Sequence, residues 1–327
     1  MNEASNGKCN IMNSAKNGGE ITTDVFGIVA LKDIREGETV FENASFMVAL
    51  EAYSGYCTGC CCVLPSAKAK LLKCCKLRVC SAHWDKVASG LFHKAVCGAN
   101  IVNKWQTSSK SDNSSKAAGW SLVEKVLTVG VQSKKHPLNV PIVNQLFAPT
   151  AAREITAVNF RTEIVDCFKF LQDLSVDIFT DQRLDTWVLH TITARLVNDA
   201  HAGDDRIADG LLVVHSLFSF FNHSCIPNVY WELRDDQPNT LVIRTQRNIR
   251  QGEELCIFYF VENELLSNRA EKRSKLSSWM VGDCQCQRCR INKPDVTLTE
   301  MTDFLSDTDE TKMFLNAEDL KMRESSI

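Results

Sequence analysis

Cysteines 57, 60, 61, 62, 74, 75, 80 and 97 crowd into 41 residues, more than half of the fifteen in this 327-residue chain. A polar stretch this short has little apolar core of its own, so its fold has to come from cross-links: disulfides or bound metal. The segment from Met1 to Glu20 is rich in Asn, Gly and Ser and lacks the apolar centre of a secretion signal. The thiols are therefore expected to be reduced inside a cell, and zinc accounts for them better than disulfides. The longest apolar run, Gly210 to Phe221, is broken by His215 and Ser216 and is too short to span a bilayer, so no membrane association is expected.

The spacings suit zinc. Cys57 and Cys60 have the two-residue gap with which a tight turn offers two thiolates to one ion. His93 and Cys97 stand one helical turn apart on a common face, with Cys74, Cys75, Cys80 and His83 between the two pairs, enough donors for two tetrahedral sites. Near the other end Cys284, Cys286 and Cys289 supply three thiolates and leave one position open. Cys225 is the candidate for it. That cysteine lies in Phe220-Phe221-Asn222-His223-Ser224-Cys225-Ile226-Pro227-Asn228, where an apolar run breaks into a polar cluster that an ordinary core strand would not tolerate.

Hydrophobic residues make up 44% of the chain, enough for one large domain carrying an inserted module. Formal net charge is -3, without the basic excess of a protein that grips a phosphate backbone, so direct nucleic-acid binding is not expected. Ile34-Arg35-Glu36-Gly37-Glu38 is echoed by Ile249-Arg250-Gln251-Gly252-Glu253, each a turn leading into a β-prone segment, which predicts a sheet assembled from both ends of the chain. Between the ends, Ile155, Val158, Ile164, Val165, Phe168 and Leu171, then Leu184, Trp187, Val188, Ile192 and Leu196, recur at helical spacing and predict buried helical faces. Thr107 to Ala118, full of Ser, Lys and Asn, reads as a loop.

The cysteine-rich segment resembles the MYND zinc finger, a two-zinc module ending in a helix that bears a His and a Cys four apart, with Trp84 at the place of an aromatic in that region. The adjacent pair Cys74-Cys75 replaces the second Cys-x-x-Cys of that pattern, and His83 replaces a cysteine one step later. The resemblance implies one zinc on Cys57, Cys60, Cys80 and His83 and a second on Cys74 or Cys75 with His93 and Cys97, with Cys61 and Cys62 as alternatives. The Asn-His-Ser-Cys-x-Pro-Asn loop at Asn222 resembles the signature of SET-domain protein-lysine methyltransferases. With the finger before it and the cysteine triplet after it, the order resembles the SET and MYND family without that family's long C-terminal helical domain.

The implied fold is α+β: a SET-type β-fold of small sheets with an inserted finger, a helical insert and a post-SET zinc segment. The implied organisation is a disordered N-terminus over 1–20, the SET N-terminal part over 21–52, the finger over 53–97, a linker and helical insert over 98–190, the SET core over 191–262, the post-SET segment over 263–290 and an acidic tail over 291–327. The implied activity is methyl transfer from S-adenosylmethionine to a lysine of a histone tail or another protein, in the nucleus or cytoplasm, by a monomer carrying up to three zinc ions. The finger is expected to offer a site for a peptide partner. Carried over by position, Phe26, Gly27, Asn198, Asn222, His223 and Tyr259 border the cofactor, Tyr259 is catalytic, and Trp279 is the nearest candidate for an aromatic that closes the site. One departure is Val25, which stands where the family's loop has the first glycine of Gly-x-Gly. With the irregular finger it motivates an alternative, a zinc-dependent SET and MYND protein-interaction scaffold that is catalytically weak or inactive.

Overall fold

The computed structural model describes residues 8–13, 26–45, 47–50, 55–64, 70–72, 74–75, 77–98, 114–146, 164–202 and 211–259, together with Leu276, Cys284, Cys286 and Cys289. The chain forms two compact units, one from Phe41–Phe220 and Glu232–Val242, the other from Asn2–Val40, Phe221–Trp231 and Ile243–Ile327. It passes between them inside three strands, Thr39–Ala44, Val229–Leu233 and Thr240–Thr245. Among the described residues no helix is long and apolar enough to cross a membrane.

The second unit is built on a four-stranded sheet whose order runs Cys9–Asn13, Phe26–Ala30, Glu254–Ile257, Asn222–His223. The first three strands are antiparallel, with Cys9 opposite Ala30 and Leu255 opposite Ile28, and the last pair is parallel, with Cys256 opposite Asn222. Cys9–Asn13 falls inside the segment expected to be disordered. Complete burial of Cys9 and a five-residue ladder with Phe26–Ala30 anchor it, a partner that lies too far along the chain for local composition to reveal. The two similar corners meet each other: the N–H of Ile34 donates to the carbonyl of Ile249 at 2.9 Å and the reverse bond is 2.8 Å. In each corner a glycine takes a left-handed backbone, Gly37 at φ 74° and Gly252 at φ 81°, which a side chain would strain. A glutamate then reaches back in each, Glu38 to the N–H of Arg35 and Glu253 to that of Arg250.

The first unit carries the helices. Ser114–Ser133 is the longest among the described residues, and Leu122, Val123, Glu124, Lys125, Val126, Leu127, Thr128 and Val129 are all buried along it. It begins inside the stretch expected to be a loop, because Lys116, Ala117 and Ala118 sustain a helix once the following turns pack. In Thr186–Asp199 the expected stripe holds at Val188, Ile192 and Leu196, with Leu189 beside them, but Trp187 is 57% exposed and stacks loosely on His136 at 6.1 Å. Of the other expected stripe, Ile164 and Leu171 are buried and Phe168 is half-buried around the helix Asp166–Asp173; Ile155 and Val158 lie outside the described residues.

A three-stranded sheet in this unit, in the order Val48–Ala49, Leu212–Val213, His201–Ala202, carries the half-buried His201 and leads into the buried His215. His215 Nε2 lies 3.0 Å from the carbonyl of Asn239 and must carry the proton there, so His215 Nδ1 accepts from His201 Nε2 at 3.2 Å. Both rings are neutral. Burial holds His215 down at about 4 and His201 well below the ordinary histidine range. Between about pH 6.5 and pH 4 the unfolded chain therefore binds a proton at His215 that the folded chain refuses, and stability falls as pH is lowered across that window, by up to about 3 kcal/mol. Denaturant unfolding of the wild type and of His215→Gln at pH 7 and pH 4.5 checks this. The stability advantage of the wild type should shrink on acidification, and parallel pH profiles would contradict it.

Candidate metal and catalytic sites

Three sets of thiols converge, each with its ligand atoms within 4.8 Å of one another: Cys57, Cys60, Cys62 and Cys80; Cys74, Cys75, His93 and Cys97; and Cys225, Cys284, Cys286 and Cys289. The first two lie in the first unit and the third in the second.

In the first set the Cys57-Thr58-Gly59-Cys60 turn brings two sulfurs together, and the N–H of Gly59 points at Cys57 Sγ, 3.4 Å away. Gly59 has no room for a side chain, since a Cβ would sit 2.7 Å from the ring of Trp84. Trp84 in turn packs on the core formed by Cys57, Cys60, Leu64 and Val79. Cys61 adopts a left-handed backbone at φ 57°, which turns the chain so that Cys62 comes back with Sγ 3.4 Å from Cys60. Cys80 approaches Cys60 at 3.5 Å from just ahead of the helix Ala82–Leu91, whose first turn is capped by Ser81. His83, expected in this set, is not part of it. The helix start at Ala82 carries His83 out to solvent, its ring edge-on to Trp84 at 5.2 Å, and Cys62 takes the fourth place. Lys125, fully buried, donates to the carbonyl of Thr58 at 3.0 Å and also to that of Val48, tying this turn to the long helix.

The second set sits where the short strands Lys70–Leu71 and Arg78–Val79 are joined. Cys74 Sγ and Cys75 Sγ lie 3.2 and 3.1 Å from His93 Nε2, so both members of the adjacent pair reach the site that was expected to use one of them. Cys97 follows one turn later, its N–H bonded to the carbonyl of His93 at 2.9 Å.

In the third set Cys225 and Cys284 are each 5% exposed, Cys225 Sγ is 3.6 Å from Cys289 Sγ, and Leu276, Phe258 and Tyr259 pack around the sulfurs. The donor chemistry of the two all-sulfur sets fits zinc. Hydrogen bonds from Cys60 and Cys62 pull Cys57 down to about 2 while its neighbours Cys60 and Cys62 are pushed up, and bonds from Cys225 and Cys284 pull Cys286 far below a normal thiol while Cys225 and Cys284 are pushed far above. Four crowded sulfurs alone support part of the negative charge; a dication allows all four to ionise.

The loop that supplies Cys225 also builds the catalytic candidate. Asn228 holds it in place, its amide accepting from the N–H of Cys256 at 2.8 Å and donating to the carbonyl of Glu254 at 2.8 Å and to the carboxylate of Glu253 at 3.0 Å. Asn222 Nδ2 donates to the carbonyl of Phe26 at 3.1 Å and to Glu254 Oε1 at 2.6 Å. Two acceptors flank that nitrogen, so both its hydrogens are engaged and Asn222 offers a ligand its oxygen. Glu254 has no site signal in the sequence beyond its place after the Gly252-Glu253 turn.

Tyr259 is half-buried, its hydroxyl donates to the carbonyl of Phe221 at 2.8 Å, its N–H donates to His223 Nδ1 at 3.2 Å, and its ring meets His223 edge-on at 5.2 Å. Phe26 is 41% exposed beside Gly27, which is buried in the strand. Gly27 is not among the glycines with positive φ, so its contribution is the absence of a side chain and not conformational freedom. Asn198 belongs to the first unit, half-buried near the end of the helix Thr186–Asp199. Val25 and Trp279 lie outside the described residues.

The SET domain family model matches residues 25–260, well over half of the chain, and the chain belongs to that family. It is 41% identical over 107 residues to a SET domain-containing protein of Acanthamoeba polyphaga mimivirus, spanning 29% of this chain and 40% of that protein. It is 31% identical over 77 residues to Histone-lysine N-methyltransferase ASHR2 of Arabidopsis thaliana, 22% of this chain and 19% of that one. It is 39% identical over 74 residues to a SET and MYND domain-containing protein of Dictyostelium discoideum, 22% of this chain and 13% of that one. The chain thus covers less than half the length of each of these relatives. The solved SET domain of LSMT, bound to lysine and AdoHcy, aligns with 78% of this chain and 50% of that one at a TM-score of 0.37 and 13% identity.

Metal counting by native mass spectrometry tests the ligand sets. Zinc-loaded wild type should carry three ions, Cys62→Ser should lose one, and His83→Ala should keep all three. Loss of an ion from His83→Ala with none lost from Cys62→Ser would refute the assignment.

Proposed function

We propose that the chain is an S-adenosylmethionine-dependent protein-lysine N-methyltransferase acting on a histone tail or another lysine-bearing protein. The observation that carries the proposal is the state of Tyr259: with its proton held by the carbonyl of Phe221, the phenol oxygen presents lone pairs only. Such a group accepts from a lysine N–H and thereby aims the nitrogen's own lone pair. A lysine amine, with an ordinary pKa near 10.4, must lose its proton before it can attack, and an apolar surround favours the neutral form. Phe258, Leu276 and the His223 ring supply that surround at Tyr259.

When bound, S-adenosylmethionine supplies an electrophilic methyl group on a sulfonium. The exposed ring of Phe26, the side-chain-free backbone of Gly27 and the amide oxygen of Asn222, whose Nδ2 is already engaged, are the groups on this sheet end that would border it, and His223, its ring engaged within the protein, would contribute backbone only. Asn198 remains a further proposed contact. Tyr259 orients and desolvates the amine, and no side chain forms a covalent bond to the substrate.

Calorimetric titration of the cofactor into zinc-loaded protein, followed by labelled methyl transfer to histone and other lysine-bearing proteins, is the test. Tyr259→Phe should bind the cofactor with unchanged affinity and lose about 100-fold in transfer. Absence of cofactor binding at millimolar concentration would overturn the enzyme reading in favour of the scaffold, and unchanged transfer by Tyr259→Phe would remove the tyrosine from the mechanism.

A further inference from the structure

His223 bridges two features that the sequence treats separately. Its Nδ1 receives the backbone N–H of Tyr259 at 3.2 Å, and its Nε2 stands 3.4 Å from Cys225 Sγ. A backbone N–H can only donate, so Nδ1 carries no proton and Nε2 must carry it. The proton on Nε2 therefore points at the sulfur of a cysteine in the terminal thiol set. The ring has little freedom to turn away: Phe258 packs against it at 5.4 Å between centroids, Tyr259 meets it edge-on, and the residue is 6% exposed.

We infer that His223 is a positioning residue that holds Cys225, one of the four sulfurs of the terminal set, and the backbone of Tyr259 in one fixed arrangement. The Nε2–H is directed at Cys225 Sγ and the Nδ1 lone pair receives the Tyr259 N–H, so one ring ties the position of the sulfur to that of the tyrosine backbone. The inference concerns the placement of Tyr259 and rests on the methyltransferase reading only for the use made of that placement.

Two short amides separate the two bonds. In His223→Asn the amide oxygen takes the place of Nδ1, but nothing reaches Cys225. In His223→Gln the longer amide reaches toward Cys225, but the acceptor for Tyr259 is lost. Nitrogen-15 NMR of zinc-loaded wild type should show His223 with the proton on Nε2 and a bare Nδ1 at pH 7. Of the three ions, the one absent from Cys289→Ser should leave His223→Asn at least tenfold faster than wild type in a chelator competition. His223→Gln, still holding three ions, should exchange the Tyr259 amide hydrogen at least tenfold faster. A proton on Nδ1 in the wild type, or zinc release from His223→Asn at the wild-type rate, would overturn the inference, and the wild-type spectrum decides it even where a variant does not fold. None of these readouts needs turnover: a wild type that transfers no methyl group defeats the proposed function, whereas the tautomer and the release rate decide the role of His223.

Discussion

Everything proposed for the second unit depends on how the loop from Asn222 to Asn228 is fastened to the strand Glu254–Ile257. A polar loop ending an apolar run would be costly if its amides found no partners, since an unpaired buried polar group is worth about 1–3 kcal/mol of lost stability. Here the partners are built in. Asn222–His223 pairs parallel with Cys256–Ile257, the N–H of Ser224 donates to the carbonyl of Ile257 at 2.9 Å, and the Asn228 amide makes three bonds to Glu253, Glu254 and Cys256. Ser224 closes the turn on itself, its hydroxyl shared between the carbonyl and the N–H of Ile226. With the loop fixed at both ends, Cys225 faces the other sulfurs while Phe221 and His223 face Tyr259.

The same physical logic, a chain with too little apolar surface recruiting other bonds, shapes the finger. Its first thiol set is backed by Trp84 and by Lys125, whose buried ammonium lies against the Thr58 carbonyl between two of the ligands. Its second is backed by the short helix His93–Val96. The finger is thus organised by contacts around its donors, and a bound ion would complete them.

Much of this was legible in the sequence because it rests on local chemistry. The three-cysteine triplet with Cys225, the paired His93 and Cys97, and the twin corners at Gly37 and Gly252 all follow from spacing or from turn residues whose geometry is fixed over a few positions. What escaped depends on tertiary partners. The helix Ser114–Ser133 is buried over most of its circumference, so it has no amphipathic stripe to read. The strand Cys9–Asn13 is polar at Asn10 and Asn13 and exists by virtue of Phe26–Ala30. The exchange of His83 for Cys62 turned on one left-handed residue, Cys61, a conformation rarely taken by side chains other than glycine and invisible to a spacing rule. Trp187 kept its helical position yet faces outward, since periodicity marks a stripe without fixing its edges.

The central claim is that one loop serves both a four-sulfur metal site and a tyrosine whose oxygen is left with acceptor capacity only. A crystal structure of the zinc-loaded protein with S-adenosylhomocysteine and a lysine peptide tests it most directly. The account predicts a single ion held by Cys225, Cys284, Cys286 and Cys289, and a Tyr259 oxygen that accepts from the lysine nitrogen while still donating to the carbonyl of Phe221. A lysine nitrogen placed away from Tyr259, or a Tyr259 hydroxyl turned from Phe221 to donate to the ligand, would contradict it.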